Sequence, residues 1–248
     1  MLTKDHLAAS GAALFRWRSF VLTAFLPLMA IAIWQGEAIE LAYGKFAGRS
    51  VEIIALGLVA LGIAIRILTV GYVPARTSGR NTKGQVAETL NTTGLYATVR
   101  NPLYLGNAIS YLGAVLYTQS LGLTVLMALV LVIYFERIIV AEETFLTQTF
   151  GEPYTEWASR TPAFFPKLTQ WTRPALPFSW RSTIGREHPT WLGTIFLLYL
   201  IEMATTLIEG ESLADRPVWH ACLAAALIGQ VVIMQIKKRT SFFVVPGR

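Results

Sequence analysis

Two groups of polar residues stand directly beside long apolar stretches of the chain. The first group is Arg100-Asn101-Pro102-Leu103-Tyr104-Leu105-Gly106, and the second is the acidic pair Glu142-Glu143. An arginine at the start of a helix helps to bind anions, because a helix N-terminus already favours negative charge. Carboxylates at the end of an apolar span are costly unless they meet a cation or a hydrogen-bond donor. Each group therefore needs a partner, either the other group or a ligand.

The spacing of the apolar runs predicts that the two groups meet. Leu103–Thr118 and Leu121–Val140 are separated by only two residues, which indicates a helical hairpin with a tight turn. Such a hairpin returns to the membrane face from which it started. We therefore expect Arg100 and the glutamate pair to line one cavity on the water side. Without a ligand, the same residues would form only an interfacial salt bridge between Arg100 or Arg137 and a glutamate.

Local residue types predict how the first group is held. Pro102 suits the first turn of a helix, where its missing N–H is not needed. Asn101 is a good N-cap residue just before it. Tyr104 falls on the first turn, and Gly106 would let a ligand or another backbone approach closely.

The elements that must position these residues are membrane-spanning helices. Of the 248 residues, 54% are hydrophobic and 15% are charged, and the mean hydropathy is +0.49. Soluble chains carry about 25% charged residues. The predicted fold is an all-α, polytopic integral membrane helical bundle of about six transmembrane helices. The six predicted spans are Phe20–Trp34, Val51–Tyr72, Leu103–Thr118, Leu121–Val140, Thr190–Ile208 and Pro217–Ile236.

The distribution of basic residues predicts the orientation of this bundle. Most of the 21 lysines and arginines fall in segments on the same side as both termini, and cytoplasmic loops carry the excess of positive charge. Both termini are therefore expected in the cytoplasm, in an integral protein of a bacterial inner membrane. The net charge of +6 follows from this topology and from attraction to anionic lipid. No nucleic-acid partner is expected.

The sequence also argues against a metal site and against a disulfide framework. Cys222 is the only cysteine, so an internal disulfide and a cysteine cluster for zinc or iron–sulfur are both excluded. The three histidines, His6, His188 and His220, lie far apart along the chain. No metal is expected.

In the order and spacing of five pieces, residues 94–166 resemble the isoprenylcysteine carboxyl methyltransferase and phospholipid methyltransferase family. These are integral membrane enzymes that use S-adenosylmethionine. The pieces are Val99–Gly106, the two-span hairpin, Glu142–Leu146, Phe150–Trp157 and Phe164–Pro166. The family's usual Arg-His-Pro is here Arg100-Asn101-Pro102. Asparagine can hold a ligand but cannot carry a proton, which favours an acceptor that needs no base at this position, such as an anionic oxygen.

The resemblance implies methyl transfer from S-adenosylmethionine to a membrane lipid or lipidated acceptor at a carboxylate, a phosphate or an amine. Arg100 and Glu143 are the implied catalytic residues. Arg100 would pair with a carboxylate or an anionic substrate head, and Glu143 would supply the base that an amine acceptor needs. Phe145, Tyr96 and Tyr104 would pack on adenine. The implied cofactor-binding residues are Tyr96, Arg100, Asn101, Pro102, Tyr104, Gly106, Glu142 and Glu143.

Three more polar residues are candidates for substrate binding: Arg66, Glu136 and His188. Ionisable groups inside a membrane are expensive and are functional candidates by default. Arg66 could hold a lipid headgroup or phosphate, or it could simply pair with Glu136. His188 belongs to a second corner, Gly185–Gly193, that echoes the first one. From there it could reach a shared pocket and act as a base.

We divide the chain into three parts. Residues 1–50 hold the N-terminal cytoplasmic segment, the first span and an outer loop; residues 51–170 form the methyltransferase core; and residues 171–248 form a C-terminal transmembrane hairpin with a basic and aromatic tail. Two other functions fit the same pattern. One is an NADPH-dependent membrane reductase of the sterol-reductase type, and the other is a non-catalytic membrane binding protein that keeps the polar groups as structural salt bridges.

Overall fold

The computed structural model describes residues 3–16, 21–74 and 87–248. The described ranges fold into ten α-helices joined by loops and 3₁₀ turns. The predicted start of the first span, Phe20, lies outside the described residues, and so do the basic residues Arg76, Arg80 and Lys83. The helices are α1 (Thr3–Arg16), α2 (Leu26–Trp34), α3 (Ala38–Tyr43), α4 (Lys45–Tyr72), α5 (Leu95–Thr98), α6 (Pro102–Leu116), α7 (Leu121–Phe150), α8 (Glu152–Arg160), α9 (Trp180–Ile208) and α10 (Pro217–Arg239).

Six apolar segments form the membrane-spanning part of the described chain. Five are long and apolar enough to cross a membrane: Thr23–Tyr43, which contains α2 and α3, and the helices α4, α7, α9 and α10. The sixth segment, α6, has 15 residues and is therefore about 22 Å long, shorter than the ~30 Å hydrocarbon core of a bilayer. The predicted all-α polytopic membrane bundle is confirmed.

The α7 and α9 helices extend furthest beyond the apolar runs that predict them. The α7 helix continues past Val140 to Phe150, and α9 begins at Trp180 rather than at Thr190. Hydropathy marks only the part of a helix that meets lipid, so a polar continuation of the same helix is missed. The continuation of α7 carries the glutamate pair, which therefore lies on a rigid helix rather than in a loop.

The α9 helix continues through Pro189, which cannot donate the helical hydrogen bond to the Gly185 carbonyl. That carbonyl instead accepts from Lys237 Nζ at 2.9 Å. The Phe243 side chain packs against Gly185 as well. The end of α10 and the C-terminal tail thus stabilise the first turns of α9.

A seam of small residues holds α6 against α4. A Cβ atom on Gly106 would lie 2.8 Å from the Gly62 carbonyl oxygen, and one on Gly113 would lie 2.6 Å from the Ala55 carbonyl oxygen. Small residues let helix backbones approach closely in membrane proteins. The seam therefore fixes the short helix α6, and with it the residues on its first turns.

The predicted tight turn between α6 and α7 is present. Gln119 is fully buried there and has a positive φ of 55°. Its side-chain oxygen accepts a hydrogen bond from the Glu40 backbone N–H at 2.9 Å. Ser120 caps α7 by accepting from the Leu123 backbone N–H at 3.4 Å. These bonds set where α7 starts and therefore where its other end lies.

The end of α4, the start of α6, the end of α7 and the start of α9 lie together, and we call this region the basic end of the bundle. The α4 and α9 helices are joined there by a hydrogen bond from the Ser179 N–H to the Gly71 carbonyl, 2.9 Å long. Helix α1 packs along α7, where an Arg137 Nη atom donates to Ser10 Oγ at 3.0 Å. Helix α10 packs against α9 at the edge of the bundle, and none of its residues is buried.

Candidate functional site

The α6–α7 hairpin places the first turn of α6 beside the last turns of α7. The Tyr104 hydroxyl donates to Glu142 Oε2 at 2.6 Å. An Arg100 Nη atom lies 2.9 Å from Glu143 Oε1. The Tyr104 ring also packs on the Phe135 ring, with centroids 5.3 Å apart. The structure therefore brings the arginine and both glutamates into one cluster, as the hairpin pattern requires.

The chain after α8 runs back alongside α5 and holds this cluster from the other side. The Arg100 backbone N–H donates to the Pro162 carbonyl at 2.9 Å, and the Lys167 N–H donates to the Thr98 carbonyl at 2.9 Å. We call residues 161–175 the return segment. Its bonds fix α5 and the start of α6 together.

Asn101 occupies the N-cap position of α6, where its carbonyl accepts from the Leu105 N–H at 3.0 Å. Its side chain makes no capping bond, so the predicted side-chain cap is wrong. Asn101 Nδ2 instead donates to the Ala163 carbonyl at 2.9 Å. The return segment lies close enough to take this side chain away from the helix end.

Helix α8 orients the Arg100 guanidinium. One Nη atom donates to the Ala158 carbonyl at 2.8 Å, while the other meets Glu143. The side chains of Arg100 and Glu143 are 18% and 28% exposed, so water screens this ion pair only in part. Burial raises the pKa of the Tyr154 phenol on the same helix, and the Glu143 carboxylate raises it further. Tyr154 therefore stays neutral beside the ion pair.

A cavity opens between these elements at the basic end. The space between them, together with the open solvent at its mouth, is about 690 Å³. Both polar and apolar or aromatic residues line it. The residues that line it are Ala87, Thr89, Leu90, Asn91, Tyr96, Arg100, Asn101, Leu103, Tyr104, Glu142, Phe145, Leu146 and Trp157.

The charged cluster at this cavity offers both hydrogen-bond donors and hydrogen-bond acceptors. Arg100 and Glu142 line the cavity, and Glu143 pairs with Arg100 behind it. Such a cluster suits a ligand that carries cationic donor groups and also has acceptor atoms for the arginine.

Comparison with known proteins identifies the family to which this geometry belongs. Residues 51–153 match the family model described as phospholipid methyltransferase. The cobalt-zinc-cadmium resistance protein CzcN of Cupriavidus metallidurans is 31% identical over 157 residues, which cover 61% of this chain and 70% of that protein. The chain belongs to the phospholipid methyltransferase family.

Two other relatives match over shorter stretches. The nickel-cobalt-cadmium resistance protein NccN of Alcaligenes xylosoxydans xylosoxydans is 35% identical over 114 residues, 43% of this chain and 53% of that protein. The protein-S-isoprenylcysteine O-methyltransferase of Schizosaccharomyces pombe is 35% identical over 79 residues, 32% of this chain and 34% of that protein. No solved structure matches the chain. The family model and the S. pombe relative together place the chain in a family of membrane methyltransferases.

The part matched by the phospholipid methyltransferase model covers two walls of the cavity but not all of it. The matched range contains α4 from Val51 onwards, α6, α7 and the cluster of Arg100 with the two glutamates. Trp157, the return segment and the C-terminal hairpin of α9 and α10 lie beyond residue 153. Of these later elements, Trp157 lines the cavity and the return segment bonds to Arg100 and Asn101.

Two residues assigned to the cofactor by sequence have other surroundings in the structure. Pro102 is fully buried at the start of α6. Gly106 faces α4, where its missing side chain admits the Gly62 backbone and the Arg66 side chain. Of the two uses expected for Gly106, the close approach of another backbone is the one observed.

Arg66, Glu136 and His188 lie apart from the residues that line the cavity. Arg66 is buried and makes two 2.8 Å hydrogen bonds to the carboxylate of Glu187. The alternative prediction that Arg66 pairs with Glu136 is therefore wrong, and Glu136 is exposed on α7. His188 is buried against α10, where its Nδ1 lies 2.7 Å from Gln230 Oε1.

Sequence reasoning did not single out Trp157, Glu187 or Asn107. Trp157 is 5% exposed and lines the cavity. Asn107 Oδ1 accepts a 2.6 Å hydrogen bond from Arg66. A signal for Asn107 was present, because it is a polar residue one helical turn after Leu103 in an apolar span. Glu187 had only its place beside the second proline corner to mark it.

Metal ligation has no candidate cluster in the part of the chain that the structure describes. Among residues 3–16, 21–74 and 87–248, no three or more His, Cys, Asp or Glu side chains are grouped so that they could hold a metal ion. The names of the two bacterial relatives refer to metal resistance, and no metal site in the described ranges corresponds to them.

Proposed function

We propose that this protein transfers a methyl group from S-adenosylmethionine to a lipid or lipidated acceptor at the cytoplasmic face of a bacterial inner membrane. The observation that carries the proposal is the cavity lined by Arg100, Tyr104 and Glu142, which lies within the family's matched region and opens at the basic end of a membrane bundle. A soluble cofactor reaches such a cavity from water, while a lipid reaches it from the bilayer.

The groups around the cavity fit the cofactor in charge and in hydrogen-bonding type. S-adenosylmethionine carries a sulfonium, an ammonium and a carboxylate, so it offers cationic donors to a glutamate and an acceptor to an arginine. Glu142 accepts hydrogen bonds from the ammonium or the ribose hydroxyls, and Arg100 donates to the carboxylate. Tyr96, Tyr104 and Phe145 supply aromatic surface for adenine.

When bound, S-adenosylmethionine supplies an electrophilic methyl group. The protein's part is to hold acceptor and donor in line and to exclude water, which together account for much of the rate of such displacements. Glu143 holds Arg100 in place through their 2.9 Å ion pair.

The reductase alternative requires a different ligand. NADPH carries several phosphate charges, which need cations to hold them. A titration of the purified protein in detergent with S-adenosylhomocysteine and, separately, with NADPH distinguishes the two functions. We expect binding of the first ligand only. Binding of NADPH alone would identify a reductase, and binding of neither would leave a non-catalytic membrane protein.

Analysis of the methylated product identifies the acceptor. The protein is incubated with a methyl-labelled donor and a total membrane lipid extract, and the labelled product is identified by mass spectrometry. We expect label in a lipid fraction, and an Arg100→Ala variant run in parallel serves as the blank. Transfer of label to water-soluble compounds only would contradict a lipid acceptor.

A further inference from the structure

A buried polar network lies beneath the cavity, toward the centre of the bundle. Arg66 of α4, Asn107 of α6 and Glu187 of α9 form it, with hydrogen bonds of 2.6–2.8 Å. The side chains of Arg66 and Glu187 are 11% and 4% exposed. A charged pair at this depth in a membrane protein is expensive to bury and needs an explanation.

The network determines which way the Asn107 amide points. An arginine side chain has only donors, so the Asn107 atom 2.6 Å from Arg66 must be the carbonyl oxygen. The amide –NH₂ group therefore lies on the side away from Arg66. Asn107 is half-buried, and within the described ranges its two N–H groups have no protein acceptor. The Arg66–Glu187 ion pair thus holds Asn107 so that its two N–H donors point away from Arg66.

Helix geometry places these donors directly below the cavity. Asn107 follows Leu103 by four residues and Tyr104 by three, so it shares their face one turn deeper, by ~6 Å. Leu103 and Tyr104 both line the cavity. Gly106 and Ser110 mark the α4 side of α6, which is the side of Arg66. The amide N–H groups accordingly face the cavity side of α6.

We propose that Asn107 binds an oxyanion of the lipid acceptor, a carboxylate or a phosphate, and that Arg66 and Glu187 are positioning residues for its amide. This inference rests on the proposed methyl transfer. An oxyanion accepts hydrogen bonds from both Asn107 N–H groups, whereas an ammonium group can only donate and would face two donors. Because Glu187 already neutralises Arg66, the acceptor meets a neutral amide. Loss of the acceptor's negative charge on methylation therefore leaves no unpaired charge buried in the site.

Methyl transfer to an oxyanion neither releases nor takes up a proton. An oxygen lone pair of the acceptor forms the new O–CH₃ bond while the S–CH₃ bond breaks and leaves its electron pair on sulfur. One negative charge of the oxyanion and the positive charge of the sulfonium disappear together, and the donor becomes a thioether. A carboxylate gives a neutral ester, and a phosphate monoester gives a diester with one negative charge fewer. No general base is needed, which agrees with asparagine at position 101, where the family usually has histidine.

The test uses the full chain in detergent micelles with three single-chain probes, palmitate, hexadecyl phosphate and hexadecylamine. Asn107→Asp is nearly isosteric and keeps an acceptor for Arg66 but loses the donors, and Asn107→Ala is the second variant. Ser110→Ala is the matched control, because Ser110 is a polar residue one turn deeper on the α4 side of the same helix. The readouts are the Kd of S-adenosylhomocysteine and the rise in Tm when each probe is added with that ligand at saturation.

We expect the unaltered protein and Ser110→Ala to gain Tm with palmitate or hexadecyl phosphate and not with hexadecylamine. Asn107→Asp should keep its Kd for S-adenosylhomocysteine. It should need at least about tenfold more oxyanion probe for the same rise in Tm, because it loses one charge-assisted hydrogen bond. Which oxyanion probe works distinguishes a carboxylate from a phosphate acceptor.

Three results would overturn the inference while leaving the cofactor assignment intact. They are stabilisation by hexadecylamine, stabilisation by no probe, and an undiminished oxyanion effect in both Asn107 variants. Failure of the unaltered protein to bind S-adenosylhomocysteine would instead overturn the proposed function, and this inference with it.

Discussion

At the residue scale, the cavity depends on two pairs that join the start of α6 to the end of α7. Tyr104 donates to Glu142, and Arg100 meets Glu143 and the Ala158 carbonyl. Glu142 lines the cavity, whereas Glu143 lies behind Arg100. We therefore propose different tasks for the two neighbouring glutamates: Glu142 meets the ligand, and Glu143 orients the arginine.

Glu142→Gln tests the first task. Glutamine can still accept the Tyr104 hydrogen bond, but it lacks the charge that attracts a sulfonium and an ammonium. We expect the Kd of S-adenosylmethionine to rise about tenfold, the scale of one charge-assisted hydrogen bond, and that of neutral-sulfur S-adenosylhomocysteine to rise less. Calorimetric titration measures both. Glu136→Gln, an exposed carboxylate on the same helix, is the control and should leave both values unchanged.

Arg100→Ala tests the second pair. The change removes the donors for a ligand carboxylate and leaves Glu143 without its cation, so we expect S-adenosylhomocysteine affinity to fall tenfold or more, about 1.4 kcal/mol per factor of ten. The control is Arg160→Ala, an exposed arginine of α8 that pairs weakly with Glu156 at 3.8 Å. Equal affinity in Arg100→Ala and in the unaltered protein would remove Arg100 from the binding site.

At the element scale, the short helix α6 carries Tyr104 and Asn107, and Arg100 and Asn101 directly precede it. It is held by α4 through close backbone contact at Gly62, Gly106 and Gly113, and the return segment holds its first residues. A helix of 15 residues that is too short to span the bilayer by itself depends on these neighbours for its depth.

Gly106→Ala tests the seam. The new Cβ would lie 2.8 Å from the Gly62 carbonyl oxygen and 2.9 Å from Arg66 Cγ, so the two helices must separate. We expect a loss of about 1–3 kcal/mol, the usual effect of overpacking, seen as a lower Tm in detergent. Gly57→Ala on α4 is the control, since a Cβ there meets nothing within 4 Å. An unchanged Tm in Gly106→Ala would mean that the seam is looser than described.

At the scale of the whole molecule, a buried ion pair helps to tie the C-terminal hairpin to the matched core. Glu187 comes from α9, outside residues 51–153, and its partner Arg66 comes from α4, inside them. The hairpin is therefore part of the folded unit and not an appended anchor. It also carries the group that orients Asn107 through Arg66.

A double-mutant cycle measures this tie. The single variants are Arg66→Met and Glu187→Leu. Glu187→Leu leaves the Arg66 charge buried without its partner, and we expect a loss of about 3–5 kcal/mol in the free energy of unfolding. The double variant Arg66→Met with Glu187→Leu should recover most of that loss, because a buried ion pair can be exchanged for packed apolar groups. Glu211→Ala, which removes an exposed carboxylate paired with Arg216, should have little effect. Additive losses in the cycle would contradict the coupling.

Much of the fold and the centre of the site follow from the sequence alone. Apolar run lengths predict the spans, because a bilayer requires a minimum length of apolar helix. The two-residue gap between the runs of α6 and α7 requires a hairpin, and a hairpin must return Arg100 to the level of Glu142. Chain connectivity therefore determines that contact without any knowledge of packing.

The tertiary structure alone decides which faces of the helices meet. In a membrane, the lipid-facing side and the packed side of a helix are both apolar, so the sequence pattern does not mark the packed side. The pairing of Arg66 with Glu187 rather than Glu136, the orientation of Asn107 and the bond from Asn101 to the return segment all depend on such choices. They join residues far apart along the chain, and only the assembled bundle brings those residues together.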